Sequence, residues 1–268
     1  MKIARVFPTK TKATPVDNLC FFDEPGLWIP EVDEVHVSVT FTWDLQRAEY
    51  LVRAWEKIAP VKLGGPATGM PGGDFEPGRY LKPGYVITSR GCPNRCWFCS
   101  VWKREGNVRE LPVRNGWNVL DDNLLACSEK HIRTVFAMLK RQSERAQFTG
   151  GLEAARLRDW HIDLLLDLKP EQIFFAYDTQ DDYEPLIEAA KKMKQAGFNR
   201  HVLRAYVLIG YPNDNINNAE RRLMDVMNLG IYPMAMLYRD YMGKKNREWM
   251  RFQRGWARPA AIYGKSKV

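Results

Sequence analysis

Between residues 85 and 238 the chain alternates short strand-like apolar runs with longer amphipathic ones. The runs are YVITS (85–89), WNVL (117–120), RAQFT (145–149), QIFFAYD (172–178), HVLRAYVLIG (201–210) and IYPMAMLY (231–238). Between them, SEKHIRTVFAMLKRQ (128–142), DWHIDLLLDL (159–168), YEPLIEAAKKMKQAG (183–197) and NNAERRLMDVMNLG (217–230) read as helices, the third closed by a glycine. Six strands alternating with helices predict an α/β fold with a parallel sheet or a partial barrel. Ligands on such sheets sit at the carboxyl ends of the strands, so the residues just after each strand are the first candidates for chemistry.

The first eighty residues pattern differently. EVHVSVTF (34–41) reads as a strand, LQRAEYLVRAWEKIA (45–59) as an amphipathic helix and VKLGG as a second strand. This β-α-β fragment is too small to predict a core of its own. Residues 63–84 are dense in glycine and proline and form a seam rather than a regular element. The expected organisation is an N-terminal extension (1–80), a six-stranded body (81–240) and a C-terminal tail (241–268).

Composition narrows the class. Hydrophobic residues at 45% and charged residues at 27% suit a water-soluble globular chain. The start, MKIARVFPTKTK, has no apolar signal segment, and stretches such as AYVLIGY are too short to span a bilayer. A cytoplasmic protein with no membrane partner is expected. Nearly all of the net charge of +8 lies in the tail, where eight Lys/Arg face one acid, Glu248. Tyr241, Trp249, Phe252, Trp256 and Tyr263 interleave with those charges, a pattern that serves nucleic-acid binding. Trp249, Phe252 and Trp256 also fall on one helical face, so the alternative is a helix that packs its aromatics on the body and leaves its charges in water.

The sharpest feature is GCPNRCWFCS (91–100), just after the first of the six strands. It holds Cys92, Cys96 and Cys99, three of the five cysteines. Five thiols do not suggest a secreted disulfide framework. A structural zinc site needs a fourth ligand, but Cys20 and Cys127 stand alone and His131, His161 and His201 lack ligand spacing. Three thiolates with one open iron fit a 4Fe–4S cluster best, zinc and plain packed thiols being the alternatives.

C-x3-C-x2-C after the first strand of a six-stranded series resembles the radical S-adenosylmethionine (radical SAM) enzymes, over roughly residues 80–240. Phe98, just before the last cysteine, fits the same motif. GCPNRCWFC is closest to the branch that contains cobalamin-binding radical enzymes and methylthiotransferases. The resemblance implies a partial (β/α)6 barrel with a short β-α-β extension and a basic helical tail. It implies a 4Fe–4S cluster on Cys92, Cys96 and Cys99, with S-adenosylmethionine chelating the open iron. Reductive cleavage would then give a 5′-deoxyadenosyl radical that takes hydrogen from a substrate, the electron coming from a reductant such as flavodoxin or ferredoxin. The reaction on substrate, oxidoreductase or transferase, stays open, as does the substrate itself: nucleic acid, peptide or small metabolite.

The family's cofactor pocket maps onto the strand exits. Asp121, Asp122 and Asn123 after the second strand suit the methionyl amine, or else a helix cap or turn. Gly150, Gly151 and Glu153 after the third resemble the Gly-Gly-Glu motif, with Leu152 inserted and one strand late. Asp178 after the fourth suits a ribose hydroxyl. Gly210 and Tyr211 after the fifth resemble the Gly-x-Pro turn that approaches the adenine. Strand parity puts Leu203, Ala205, Val207 and Ile209 on one face and Arg204 and Tyr206 on the other. Arg204 then suits a cofactor or substrate carboxylate, or an ion pair with Asp178 or an aspartate of the second strand. Tyr206, Tyr238 and Asp240 are the candidates on the substrate side.

The extension resembles the last β-α-β of a Rossmann-like cobalamin-binding domain, but it lacks the Asp-x-His-x-x-Gly motif and is too short to hold a corrin. No cobalamin is expected. Methylthiotransferases carry three further N-terminal cysteines, where only Cys20 stands, so that activity is not expected either. The competing classes are a cluster-bearing binding or electron-transfer protein and a nucleic-acid module built on the basic tail.

Overall fold

The structure is a computed structural model and describes residues 1–257 and Ile262. It is α/β, with two all-parallel sheets. The first comprises β1 (Ile3–Val6), β2 (Cys20–Phe21), β3 (Glu34–Ser38) and β4 (Val61–Gly64), in the order β2-β1-β3-β4. β3 alternates as its sequence predicts, with Val35 and Val37 buried. α1 (Leu45–Trp55) crosses from β3 to β4 and lays Ala48, Leu51 and Trp55 against them.

β1 and β2 are absent from the sequence reading. All four residues of β1 are buried, so it lacks the alternation that marks β3, and β2 is two residues long. With β1 in place, Ala4 and Val6 join Val35, Val37, Val39, Ala48, Leu51 and Trp55 in a hydrophobic cluster separate from the main core. The N-terminal fragment therefore has a core, contrary to the expectation from its β-α-β alone.

The second sheet begins with β5 (Tyr85–Val86). A short antiparallel pair follows, β6 (Ser89–Arg90) with β7 (Arg109–Glu110), closing the base of a loop that contains the cysteines and one turn of helix, α2 (Val101–Arg104). Then come β8 (Asn118–Val119), α3 (Glu129–Lys140), β9 (Gln147–Phe148), α4 (Asp159–Leu168), β10 (Gln172–Tyr177), α5 (Tyr183–Gln195), β11 (Leu203–Ile209), α6 (Ile216–Asn228) and β12 (Tyr232–Leu237). The six parallel strands lie side by side in chain order, β5-β8-β9-β10-β11-β12. Right-handed crossovers that always step the same way put the helices on one face. Ile173, Phe175, Leu203, Ala205, Val207 and Ile209 belong to the core on that face. Phe174, Arg204 and Tyr206 have the opposite parity.

α7 (Arg247–Gly255) follows β12. Asn246 caps it by accepting from the Glu248 and Trp249 amides at 2.9 and 3.3 Å. Trp249 and Phe252 pack on the main core, Trp256 is buried, and the Gln253 amide donates to the Ala235 carbonyl of β12 at 3.0 Å. The aromatic face of this helix is thus a packing face. Arg258, Tyr263, Lys265 and Lys267 of the tail lie outside the described residues. No helix among those described is long and apolar enough to cross a membrane.

Candidate functional site at the strand exits

The cysteine loop is shaped by its glycines. Gly91 has φ +88°, and a Cβ there would lie 2.3 Å from the Asn107 carbonyl oxygen. Across the neck the Cys92 amide donates to the Gly106 carbonyl at 3.1 Å. The Cys96 carbonyl accepts from both the Cys99 amide and the Trp102 indole, each at 3.1 Å. Below the loop, Glu105 gathers a hub that sequence reasoning missed. Its carboxylate, 1% exposed, accepts from the Gly72 amide at 3.0 and 3.1 Å and from Arg104 Nε at 2.9 Å, with Arg90 and Arg109 at 4.0 and 3.7 Å. Gly72 belongs to the Gly/Pro-rich seam, so the seam is clamped onto the loop.

All three thiols are free and half-buried. Burial first, then the neighbouring Cys99, Asp182, Cys92 and Asp178 charges, push Cys96 up to about 11. Cys99 is raised by burial and by Cys92. Among the described residues no three His, Cys, Asp or Glu side chains meet in a ready-made metal-holding group.

The exit of β8 is where the site takes form. Asp121 is buried, and its two oxygens accept from the Thr88 amide and hydroxyl, both at 2.5 Å, and from the Ser89 hydroxyl at 2.8 Å. Burial raises its pKa against those bonds. Asp121, the first of the three candidates for the methionyl amine, is thus a strut between two strand exits with both oxygens engaged within the chain. Asp122 accepts from the Gly91 amide at 2.8 Å and steadies the neck of the cysteine loop. Burial raises its pKa as well.

Asn123 differs from both. Its amide nitrogen donates to Glu153 Oε2 at 2.6 Å and to Cys92 Sγ at 3.4 Å, while its Oδ1 is buried with no hydrogen-bond partner. Glu153 also accepts from Arg156 Nε at 2.6 Å. The candidates after the second and third strands thus meet at the first cysteine. The glycines before Glu153 explain the approach. A Cβ on Gly150 would lie 2.5 Å from the Asp121 carbonyl, and Gly151 has φ +94°. The inserted Leu152 is buried in the core and donates its amide to the Phe174 carbonyl at 2.7 Å.

Asp178 accepts from the Leu208 amide at 3.1 Å. Burial, reinforced by Asp182, pushes its carboxyl up to about 7. Asp182 in turn accepts from the Asp178 and Thr179 amides and the Thr179 hydroxyl, a capping box legible as T-x-x-D. Gly210, at φ +71°, is accounted for by packing, since a Cβ would meet Leu237 at 2.8 Å and Trp249 at 2.9 Å. Tyr211 lies under the Arg222 guanidinium, 5.1 Å from the ring centroid.

Two candidates are engaged elsewhere. Arg204 shares its face with Tyr206 as parity predicts, but it is the second residue of β11 and sits at the amino end of the strand. At about 3.3 Å per residue that is some 16 Å below the exit. Its guanidinium lies over Phe174 and Tyr232 at 5.9 and 5.2 Å, and its buried Nε has no hydrogen-bond partner. The considered ion pair with an aspartate is not formed. Asp240 is exposed and closes a turn by accepting from the Lys244 amide at 2.9 Å.

Tyr206 stacks on Phe174 with centroids 4.6 Å apart and donates its hydroxyl to the Thr149 carbonyl at 3.0 Å, so it props the β9 exit from below. Phe98 meets Trp97 edge to face at 5.4 Å. Trp97, also missed from the sequence, touches Tyr211 at 5.7 Å and Tyr238 at 5.8 Å, the exits of β11 and β12.

No model of a known protein family matches the sequence, and comparisons with curated proteins and with solved structures likewise give no match.

Proposed function

We propose that the chain is a radical SAM enzyme. The observation that carries this reading is Asn123: its amide bridges Cys92 and Glu153, and its oxygen is buried without a donor. A buried acceptor left unpaired is costly, and an ammonium group brought to that point would satisfy it. The donor set fits the group as well, three free soft thiols in one loop after the first strand of a parallel series. The loop from the first strand reaches Asn123, Tyr211 and Tyr238 at the exits of the second, fifth and sixth. Such reach supports a partial (β/α)6 barrel.

In this reading Cys92, Cys96 and Cys99 hold the 4Fe–4S cluster, and Asn123 with Glu153 receives the methionyl amine. Asp178, poised near 7, both donates to and accepts from a ribose hydroxyl. Tyr211 and Tyr238, with Trp97, border the substrate side. Bound there, the reduced cluster and S-adenosylmethionine supply a 5′-deoxyadenosyl radical for hydrogen abstraction. The protein's own part is to place the two reactants and keep water out.

Anaerobic reconstitution should give brown protein with about four irons per chain. Dithionite with S-adenosylmethionine should then release 5′-deoxyadenosine. Iron uptake without that release would leave a cluster-bearing binding or electron-transfer protein; no iron uptake would remove the reading altogether.

A further inference from the structure

Trp97 is 53% exposed although three aromatic rings surround it. Phe98 and Tyr211 meet it at 88° and 71° and Tyr238 at 46°, so none of the three stacks on it. Its flat surface remains available one residue from Cys96, at the mouth of the candidate site.

The segment that leaves β12 beside this mouth is basic. Arg239, Lys244, Lys245 and Arg247 are all exposed. Among the described residues none of the four makes an ion pair, whereas Arg133, Arg156 and Arg222 elsewhere each hold a carboxylate. Two acids share the segment: Asp240 Oδ1 accepts from the Lys244 amide at 2.9 Å, and Glu248 follows Arg247 at the start of α7. The backbone carrying these charges is fixed rather than loose: Thr42 Oγ1 donates to the Tyr241 carbonyl at 2.7 Å, Arg239 lies 5.4 Å over the Trp43 ring, and Trp43 packs on Gly243. A positioned row of cations with no carboxylate partner among the described residues, next to an open aromatic surface, is complementary to a ligand that is flat in one part and polyanionic in the next.

We infer that the substrate is a single-stranded nucleic acid, with one base laid on Trp97 and the following phosphates along residues 239–247. The inference rests on the reading above only in calling the ligand a substrate; the binding surface stands without the cluster. An acidic peptide meets the cations but has no ring for Trp97, and it is the competing occupant.

The test uses iron-free full-length protein and a fluorescein-labelled single-stranded RNA or DNA of about 12 nucleotides, a length within the range such sites span. Anisotropy should show binding that weakens with salt. Replacing Arg239, Lys244, Lys245 and Arg247 with Gln should lower the log–log salt slope by about 2 to 3, at about 0.7 per phosphate contact. Trp97→Ala should weaken binding about 5- to 100-fold while leaving that slope unchanged. Both variants alter exposed side chains, and circular dichroism checks that they fold. No binding at low salt, equal displacement by poly-glutamate, or unchanged affinity in Trp97→Ala would each overturn the inference. Because iron and S-adenosylmethionine are absent from the assay, failure here leaves the radical reading standing. Binding by a protein that never releases 5′-deoxyadenosine would remove the radical reading alone.

Discussion

The two sheets share a topology class and differ at their exits. Both are all-parallel, and both send loops from the carboxyl ends of their strands. At the N-terminal sheet the polar side chains near those exits are engaged within the chain. Close backbone approach does not separate the two sheets: a Cβ on Gly65 after β4 would lie 2.5 Å from the Val39 carbonyl after β3, and one on Gly150 after β9 would lie as near the Asp121 carbonyl. Arg5 is engaged by the Gly78 and Arg79 carbonyls and by Asp17, and His36 by Tyr80 and Glu34. At the six-stranded sheet the exits hold three free thiols, a carboxyl poised near 7 and the unpaired Asn123 oxygen. Asn123 Oδ1, His161 Nε2, Arg204 Nε and Arg222 Nε, all beyond the N-terminal sheet, are buried polar atoms without a hydrogen bond. What sets the exits of the six-stranded sheet apart is the Asn123 oxygen, buried there without a hydrogen bond.

The sharpest way to break this comparison is with the cysteines. Cys92→Ala, Cys96→Ala or Cys99→Ala should each abolish iron binding after reconstitution. Cys20→Ala, at the N-terminal sheet, and Cys127→Ala should leave the iron content unchanged. An iron requirement for Cys127 would end the argument for an open iron.

A smaller effect separates two residues of one strand exit. Asp121→Ala removes a buried acceptor of three hydrogen bonds and should cost on the order of 3 kcal/mol in urea unfolding. Asn123→Ala removes an unpaired atom along with its bonds and should cost less than half as much, while lowering S-adenosylmethionine affinity at least about tenfold, as loss of a buried charged hydrogen bond does. Equal stability losses with intact affinity would make Asn123 a strut like its neighbour.

The smallest effect concerns pH. Burial and Asp182 hold the Asp178 carboxyl near 7, against 3.8 for the ordinary group. Between those values the folded chain keeps a proton that the unfolded chain has lost, so this group lowers stability as pH rises from about 4 through 7. Asp178→Asn should remove that contribution. The Tm of the variant relative to the native chain should therefore rise from pH 5 to pH 8, as differential scanning fluorimetry can measure. A constant difference across that range would mean that Asp178 titrates normally.

The six strands were legible because each run is bounded, and from the second onward each is separated from the next by a helix with clear period. β1 was not, because a strand buried on both faces shows no alternation, and β2 is too short to show a pattern. Parity gave the face of Arg204 but not its height, since alternation carries no information about where along a strand the ligand end lies. Asp121 and Asn123 look interchangeable as sequence. They part because Thr88 and Ser89, more than thirty residues earlier, supply donors to one and not to the other. Arg104 and Arg109 stand close to Glu105 in sequence, but nothing local announces the partners at residues 72 and 90 that make it a hub.

That carboxylate has a consequence for how the chain matures. The Gly72 amide and the arginines of the cysteine loop share one buried acceptor, so neither side is satisfied until both are present. Ordering one lowers the entropic cost of ordering the other, and the pair forms as a single cooperative step. The first seventy residues leave the ribosome early, yet their seam gains its anchor only once Glu105 has been synthesised. In the finished chain Phe75 is buried and Gly72 is held, while Met70, Pro71, Gly73 and Asp74 stay exposed on either side of that anchor.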